Sequence, residues 1–329
     1  MPMTSARMRL RPIFVAACLW LTGVAALAQQ EFAPASGQVG VNAHLPSDRD
    51  CALMEKAGIR WARVDLTWDV VEPRQGQYRW DLIDHVVENA SGHGVKLLGV
   101  LGYCPDWASC DGTRYSPPAN PAEWAGFVDT ITSRYKDCIE YWTLWNEPNN
   151  DRFFHGTMDD YLFKVLLPGV SAARIGNPNC KIVGPDLAHL SAAHWDTWLD
   201  YLLMRAGGYF DVIGHHCYKG DPQEVLGALE GPAKPWDPPS VRSILEKRGA
   251  AAKPFWLTEV GFGSKKAGQE KQAAYLAALL RAQALRPWLD KVFIFELRDS
   301  PGLPDYGLLR QDGTPKPAFR AVRALLKPE

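Results

Sequence analysis

The chain has almost no net charge and no basic block: 36 Lys and Arg face 37 Asp and Glu, for a formal charge of −1. That balance gives nucleic-acid binding no electrostatic footing. No Gly-rich loop follows the first apolar run, so a dinucleotide or phosphate cradle is not expected. The cysteines do not fall at zinc-ligand spacing, and no metal or cofactor is expected. No charged or low-complexity tract breaks the chain, and nothing marks a second domain or an appended module. The apolar stretch Ile13 to Ala25 is too short for a membrane span. Arg7, Arg9 and Arg11 precede it and Ala26-Leu27-Ala28 follows it, the order found in a secretory signal peptide. An uncleaved anchor is the rival reading, and no Cys follows Ala28 for lipid attachment. The expected division is a signal peptide over 1–28, cut after Ala28, a linker over 29–36 and one folded domain over 37–329. The mature protein is expected to be secreted or periplasmic, monomeric and without a membrane span.

Export would let cysteines pair. Of the 7, Cys18 lies in the signal segment. Cys104 and Cys110 share one loop and form a candidate clip. Cys138 and Cys180 each open an expected strand, the two strands being neighbours, and form a second candidate pair. Cys51 and Cys217 are left free. Six buried thiols are the alternative.

What the sequence does contain is apolar and aromatic: 47% of its 329 residues are hydrophobic and 13 are Trp, which suits one large α/β domain. Eight apolar runs read as strands: Gln38–Asn42, Ile59–Leu66, Lys96–Leu101, Ile139–Trp145, Lys181–Pro185, Phe210–His216, Pro254–Thr258 and Lys291–Glu296. Helical patterns alternate with them, around Asp50–Ala57, Trp80–Ala90, Asp159–Arg174, Trp195–Arg205, Ser240–Arg248, Glu270–Leu285 and Pro317–Leu326. Another begins at Asn120-Pro121-Ala122-Glu123, with a capping Asn, a first-turn Pro and a Glu three residues on. Eight such units predict a single closed (β/α)8 TIM barrel. An open doubly wound sheet is the alternative, without a Gly-rich turn to support it. The longest irregular stretches, Gly102–Pro118 and Lys219–Pro239, follow strand ends, where barrel loops build sites.

Two strand ends carry a carboxylate. One is Trp142-Thr143-Leu144-Trp145-Asn146-Glu147-Pro148-Asn149, the other Pro254-Phe255-Trp256-Leu257-Thr258-Glu259-Val260-Gly261. An isolated Glu is usually a solvated loop residue, but each of these ends an apolar strand. The two runs resemble the acid/base and nucleophile strands of clan A retaining glycoside hydrolases, and are most similar to the family 5 and family 39 group. The resemblance implies a carbohydrate substrate, with Glu147 as acid/base and Glu259 as nucleophile, about 5–5.5 Å apart. A general acid needs a less polar, partly desolvated pocket, so Glu147 is expected in one; Glu259 is expected beside hydrogen-bond donors and a cation. Asn146 would contact the sugar 2-hydroxyl.

Arg63, inside the apolar run Trp61-Ala62-Arg63-Val64-Asp65, is costly to bury unpaired. It stands where the clan places an arginine that holds the nucleophile; an ion pair with Asp65 or another acid is the alternative. His216 and Tyr218 can face the mouth together and match the clan's His-x-Tyr pattern, whose tyrosine orients the nucleophile. His215 is expected to point outward. Asn42 and His44 are weaker candidates. Trp68, Tyr103, Trp107, Tyr115, Phe153, Phe154, Trp236 and Phe262 are candidate sugar platforms, Trp68 and Trp107 foremost, with core packing as the rival for each. Many clan members end the eighth strand with a Trp that floors the site; here Phe295 or Glu296 stands there. The tail Tyr306-Gly307-Leu308-Leu309 with Asp312-Gly313-Thr314-Pro315-Lys316-Pro317 resembles the ending of family 39-like chains. The expected activity is hydrolysis of β-glycosidic bonds in an oligo- or polysaccharide, without a cofactor. A decayed sugar-binding barrel and a transglycosylase are the alternatives.

Overall fold

The computed structural model describes residues 33–231 and 239–327. The expected signal peptide, the start of the linker and Trp236 lie outside the described residues. Eight parallel strands close into a barrel in sequence order: β1 Val39–His44, β2 Trp61–Asp65, β3 Lys96–Leu101, β4 Tyr141–Leu144, β5 Lys181–Ala188, β6 Val212–His216, β7 Phe255–Val260 and β8 Leu289–Ile294, which pairs back onto β1. This is the expected TIM barrel. The bounds of β3 and of the closing helix Pro317–Leu326 are as expected, and the other ends differ by a few residues. Three short helices are additional to those expected: Trp68–Val71, Ser264–Ala267 and, within the stretch Lys219–Pro239 read as irregular, Pro222–Glu230. No helix of the described residues is long and apolar enough to cross a membrane.

The helices start where side chains can satisfy their free amides. Ser47 accepts from Asp50, and Asn120 accepts from Ala122 ahead of Pro121. Asp221 accepts from both Gln223 and Glu224, with Pro222 in the first turn. The expected helix Asp159–Arg174 is a compound one: Met158–Asp160, a π turn over Tyr161–Leu166, then Leu167–Gly176. Tyr161, in the π turn, donates its hydroxyl to the Leu144 carbonyl at the end of β4 (2.9 Å).

Inside the barrel two layers differ in kind. The lower one packs Trp61, Leu98, Val183, Val212, Trp256 and Phe293, with Tyr141 against them. Trp61 meets Trp256 edge-on at 5.2 Å between centroids. Gly40 makes room there, since any Cβ at that position would overlap the Phe293 ring. The layer above is polar and buried: Asn42, Arg63, Asp186, His216 and Thr258. At this level the strand register breaks in β1, β5, β6 and β7. Bulges at barrel rims re-aim side chains, and here they turn polar groups inward.

The expected disulfides are not formed. Cys51, Cys104, Cys180 and Cys217 are buried free thiols, and Cys110 and Cys138 are exposed free thiols. Each candidate pair therefore sets a buried thiol against one that faces solvent. The six are not all buried either.

Candidate active site

Glu147 is delivered by a sharp turn. Trp145 and Glu147 both have positive φ (85° and 46°), a conformation that L-residues adopt only when their surroundings hold them there. The restraints are visible. The Trp145 amide donates to the Leu101 carbonyl (2.6 Å), its indole to the Phe153 carbonyl (2.8 Å), and the Glu147 amide to the Asp186 carbonyl (3.1 Å). The Glu147 carboxylate accepts from Asn150 Nδ2 (2.8 Å) and meets His216 Nδ1 at 2.9 Å.

Glu259 stands across the mouth on β7. It accepts from Arg63 Nη1 and from the Tyr218 hydroxyl, each at 2.7 Å. Both glutamates are 7% exposed. One oxygen of each, with a ring nitrogen of His216, lies within 4.8 Å of the others. That spacing fits a retaining pair and leaves no room for the wider, water-holding gap of inversion. The same three groups are close enough to share a cation, but Glu147 and His216 already satisfy each other as an ion pair.

Arg63 connects the strands beneath. Besides Glu259 it donates to Asn42 Oδ1 (3.0 Å), Asn146 Oδ1 (2.7 Å) and Asp186 Oδ2 (3.2 Å). Asn42 in turn donates to the Thr258 carbonyl (3.1 Å), so it is a brace under the nucleophile strand. Burial works against the charge of Arg63, but Glu259 and Asp186 reverse that and hold its pKa above the usual value. His216 behaves alike: burial lowers it, then Glu259, Asp186 and Glu147 raise it to about 9. Asp186 is opposed by burial, yet His216 and Arg63 bring it down to about 2.

The environment expected for Glu147 is not the one observed. Burial does push its carboxyl up, but the hydrogen bond and charge of His216 outweigh burial and leave it below the usual carboxylate range. In the free protein the proton therefore rests on His216, 2.9 Å away. Glu259 has the donors and the cation expected of it.

Of the other expected site residues, Asn146, Tyr103 and Phe295 line the mouth. Tyr103 is half-buried beside Asn146, edge-on to Trp145 (5.6 Å). Phe295, half-buried, meets Tyr218 edge-on at 5.8 Å. Glu296 turns away instead: it is fully buried and accepts from Ser300 Oγ (2.6 Å), with His44 Nε2 at 3.1 Å. His44 also meets Asp65 at 2.7 Å and is raised to about 10 by hydrogen bonds to Asp65 and Glu296. Trp68 is no platform. It opens a helix, is fully buried, stacks on Phe127 (5.5 Å) and donates to Glu72 (2.7 Å). Trp107 is half-buried against it, its indole on the Glu72 carbonyl (3.2 Å). Phe154 and Phe262 are core residues, while Tyr115 and Phe153 are half-buried and continue an edge-to-face row from Tyr103. His215 points away from the barrel axis as expected, into the helix layer, where it meets His189 (3.0 Å) and Trp195.

Sequence reasoning missed Asp186, Asn150, Thr258 and Tyr306. Asn150 was there to find, three residues past the acid. Asp186 follows Gly184-Pro185, which read as the end of a strand that in fact continues to Ala188. Tyr306 closes an aromatic trio with Tyr218 (5.6 Å) and Phe295 (5.8 Å) from a loop far along the chain. That loop is pinned from below. The buried Lys316 ammonium holds Asp299 (2.8 Å) and the Asp305 carbonyl (3.0 Å), and Gln272 donates to the Tyr306 carbonyl (2.8 Å).

A family model described as beta-galactosidase, of glycoside hydrolase family 42, matches residues 44–109. A beta-xylosidase from Caldicellulosiruptor saccharolyticus is 26% identical over 282 residues, which cover 74% of this chain and 56% of that one. Among solved structures, a family 39 glycoside hydrolase from Bacteroides cellulosilyticus WH2 superposes with a TM-score of 0.68 at 22% identity, over 91% of this chain and 64% of that one. The GH5_18 enzyme of Streptomyces cattleya, solved with Manb1-4GlcNAc, gives 0.66 at 20% identity, over 88% and 80%. The chain thus spans less than two thirds of the length of the xylosidase and of the family 39 enzyme. By sequence and by fold, it resembles the clan A glycoside hydrolases, with structural neighbours in families 39 and 5.

Proposed function

We propose that the protein is a retaining β-glycosidase acting on a β-linked oligo- or polysaccharide. One observation carries the reading: two strand-end glutamates with oxygens within 4.8 Å of each other, one paired with an arginine and a tyrosine, the other with a histidine. In the first step a Glu259 oxygen attacks the anomeric carbon, the bond to the leaving oxygen breaks, and that oxygen takes a proton from Glu147. In the second, water gives a proton to Glu147, its oxygen attacks the same carbon, and Glu259 leaves. Two inversions return the β configuration. Asn146 and Tyr103 at the mouth are the groups placed to meet sugar hydroxyls, and Phe295 with Tyr306 supplies the apolar wall. The names of the relatives favour a xyloside or a galactoside as the sugar. Export of the chain is part of the proposal and rests on the pattern of residues 1–28.

The test is a panel of nitrophenyl β-xyloside, β-galactoside, β-glucoside and β-mannoside, with Glu147→Gln as control. Release from one of them, with the β anomer seen first by NMR, supports the reading. No release from any of them or from the matching nitrophenyl β-oligosaccharides, or an α anomer first, rejects it.

A further inference from the structure

Asp186 is fully buried. It has positive φ (53°), a position that Asp tolerates better than most residues. It sits where β5 loses register against β6, and Gly214 opposite is what admits it: a Cβ there would overlap its Oδ1. Nothing about packing calls for a carboxylate here, and burying one is expensive unless its partners hold it. They do. Thr258 Oγ1 donates to Oδ1 (2.7 Å), Arg63 Nη2 donates to Oδ2 (3.2 Å), and His216 Nε2 stands 3.7 Å from Oδ2. That nitrogen has no hydrogen-bond partner, so Asp186 is what faces it. At the same time the Asp186 carbonyl accepts the Glu147 amide.

We propose that Asp186 is the positioning residue that couples the two carboxylates: its main chain seats Glu147, while its side chain orients Arg63 against Glu259 and keeps His216 charged beside Glu147. The proposal rests on the glycosidase reading. With Asp186 ionised, His216 keeps a proton on both nitrogens, and Nδ1 lies 2.9 Å from Glu147 Oε1. Transfer of that proton makes Glu147 the acid and leaves a neutral imidazole with its remaining N–H toward Asp186. No other species is consumed. Asp186 thereby sets the pH above which the site loses its acid proton. The titratable or charged groups around it are Arg63 on β2, Glu147 after β4, Tyr161 in the π turn, His215 and His216 on β6, and Glu259 on β7. Among these, only Arg63 and His216 pair with its carboxylate.

Asp186→Asn keeps the shape and the backbone contact and deletes the charge. Losing a carboxylate beside an imidazolium lowers its pKa by about 1–3 units. The alkaline limb of kcat/KM should therefore move toward acid by at least about one unit, and the His216 ring, followed by NMR, should titrate lower by the same amount. A variant with a lower rate but unmoved limb and unmoved His216 titration overturns the proposal, because a purely structural lesion does just that. The NMR arm does not need turnover. If the wild type cleaves no glycoside, the glycosidase reading falls, while the His216 shift still decides whether Asp186 governs that ring. If Asp186→Asn does not fold, Asp186→Ser deletes the same charge with a smaller side chain and is judged by the same alkaline limb and the same His216 titration, a shift of at least about one unit supporting the coupling and no shift overturning it.

Discussion

The lower barrel layer packs Trp61, Trp256 and Phe293 against one another, whereas the layer just above it holds Arg63, Asp186, His216 and Thr258. Four strands, β2, β5, β6 and β7, supply both. Below, the side chains need only fill volume, and β7 and β8 slip in register between Phe255 and Trp256. Above, the register breaks, and Glu147 and Asp186 adopt positive φ. An apolar layer tolerates any well-shaped substitute; a buried polar layer holds only if every partner is present. The floor therefore contributes stability, and the layer above spends some of it on orientation.

The largest effect should come from the polar layer. Glu259→Ala should lose on the order of 10⁴–10⁶-fold in kcat, as nucleophile deletions do. Azide should then give the α-glycosyl azide, which product NMR would show. A variant that keeps wild-type turnover would break the comparison outright. Glu147→Ala should lose about 10²–10⁴-fold on a poor leaving group and far less on dinitrophenyl glycosides. Azide should rescue it with a β product. Equal losses on both substrates would remove Glu147 from the acid role.

Arg63→Ala and Phe293→Ala sharpen the contrast between the layers. Each should cost roughly 3–5 kcal/mol of stability, the first by stranding buried carboxylates, the second by leaving a cavity. Denaturant titration measures both. The folded Phe293→Ala protein should keep kcat/KM within about tenfold, whereas Arg63→Ala should lose about 10²–10³-fold for want of the cation on Glu259. Similar catalytic losses in the two would mean that the floor and the site are not separable.

The smallest effect is in the pH dependence of stability. Asp186 falls from 3.8 to about 2 on folding, so its contribution is present above pH 4 and fades as the pH drops through that window. His216 rises from 6.5 to about 9, so its contribution is complete below pH 6.5 and is lost as the pH climbs to about 9. The thermal midpoint should peak between these windows, at about pH 4–6.5. In Asp186→Asn the acid-side decline should shrink.

The two layers were not equally legible in the sequence. β3 and the helix Pro317–Leu326 could be read to the residue because their patterns are local. Glu147, Glu259, Arg63, His216 and Tyr218 could be placed because each stands in or beside an apolar strand and matches a motif of the clan the sequence resembles. Their partners could not. Asp186 meets Arg63 across 123 positions of chain, through a break in register that follows a Gly-Pro pair. The lowered pKa of Glu147 depends on a histidine 69 positions away, so no local pattern reports it. Trp68 misled for the opposite reason: a tryptophan just past a strand looks like a loop platform, but a four-residue helix folds it inward onto Phe127.

The Lys316 ammonium beneath the Tyr306 loop has a consequence for synthesis. Glu147, Glu259 and all eight strands leave the ribosome before Lys316 does. Until that lysine arrives, Asp299 has no cation, and the turn that presents Tyr306 lacks one of its clamps. The helix Pro317–Leu326 follows that lysine and packs against Asp48–Ala57 and Gln269–Ala284, from the two ends of the barrel sequence. A nascent chain can thus carry the whole proposed catalytic set while the turn that presents Tyr306 still lacks its lysine clamp.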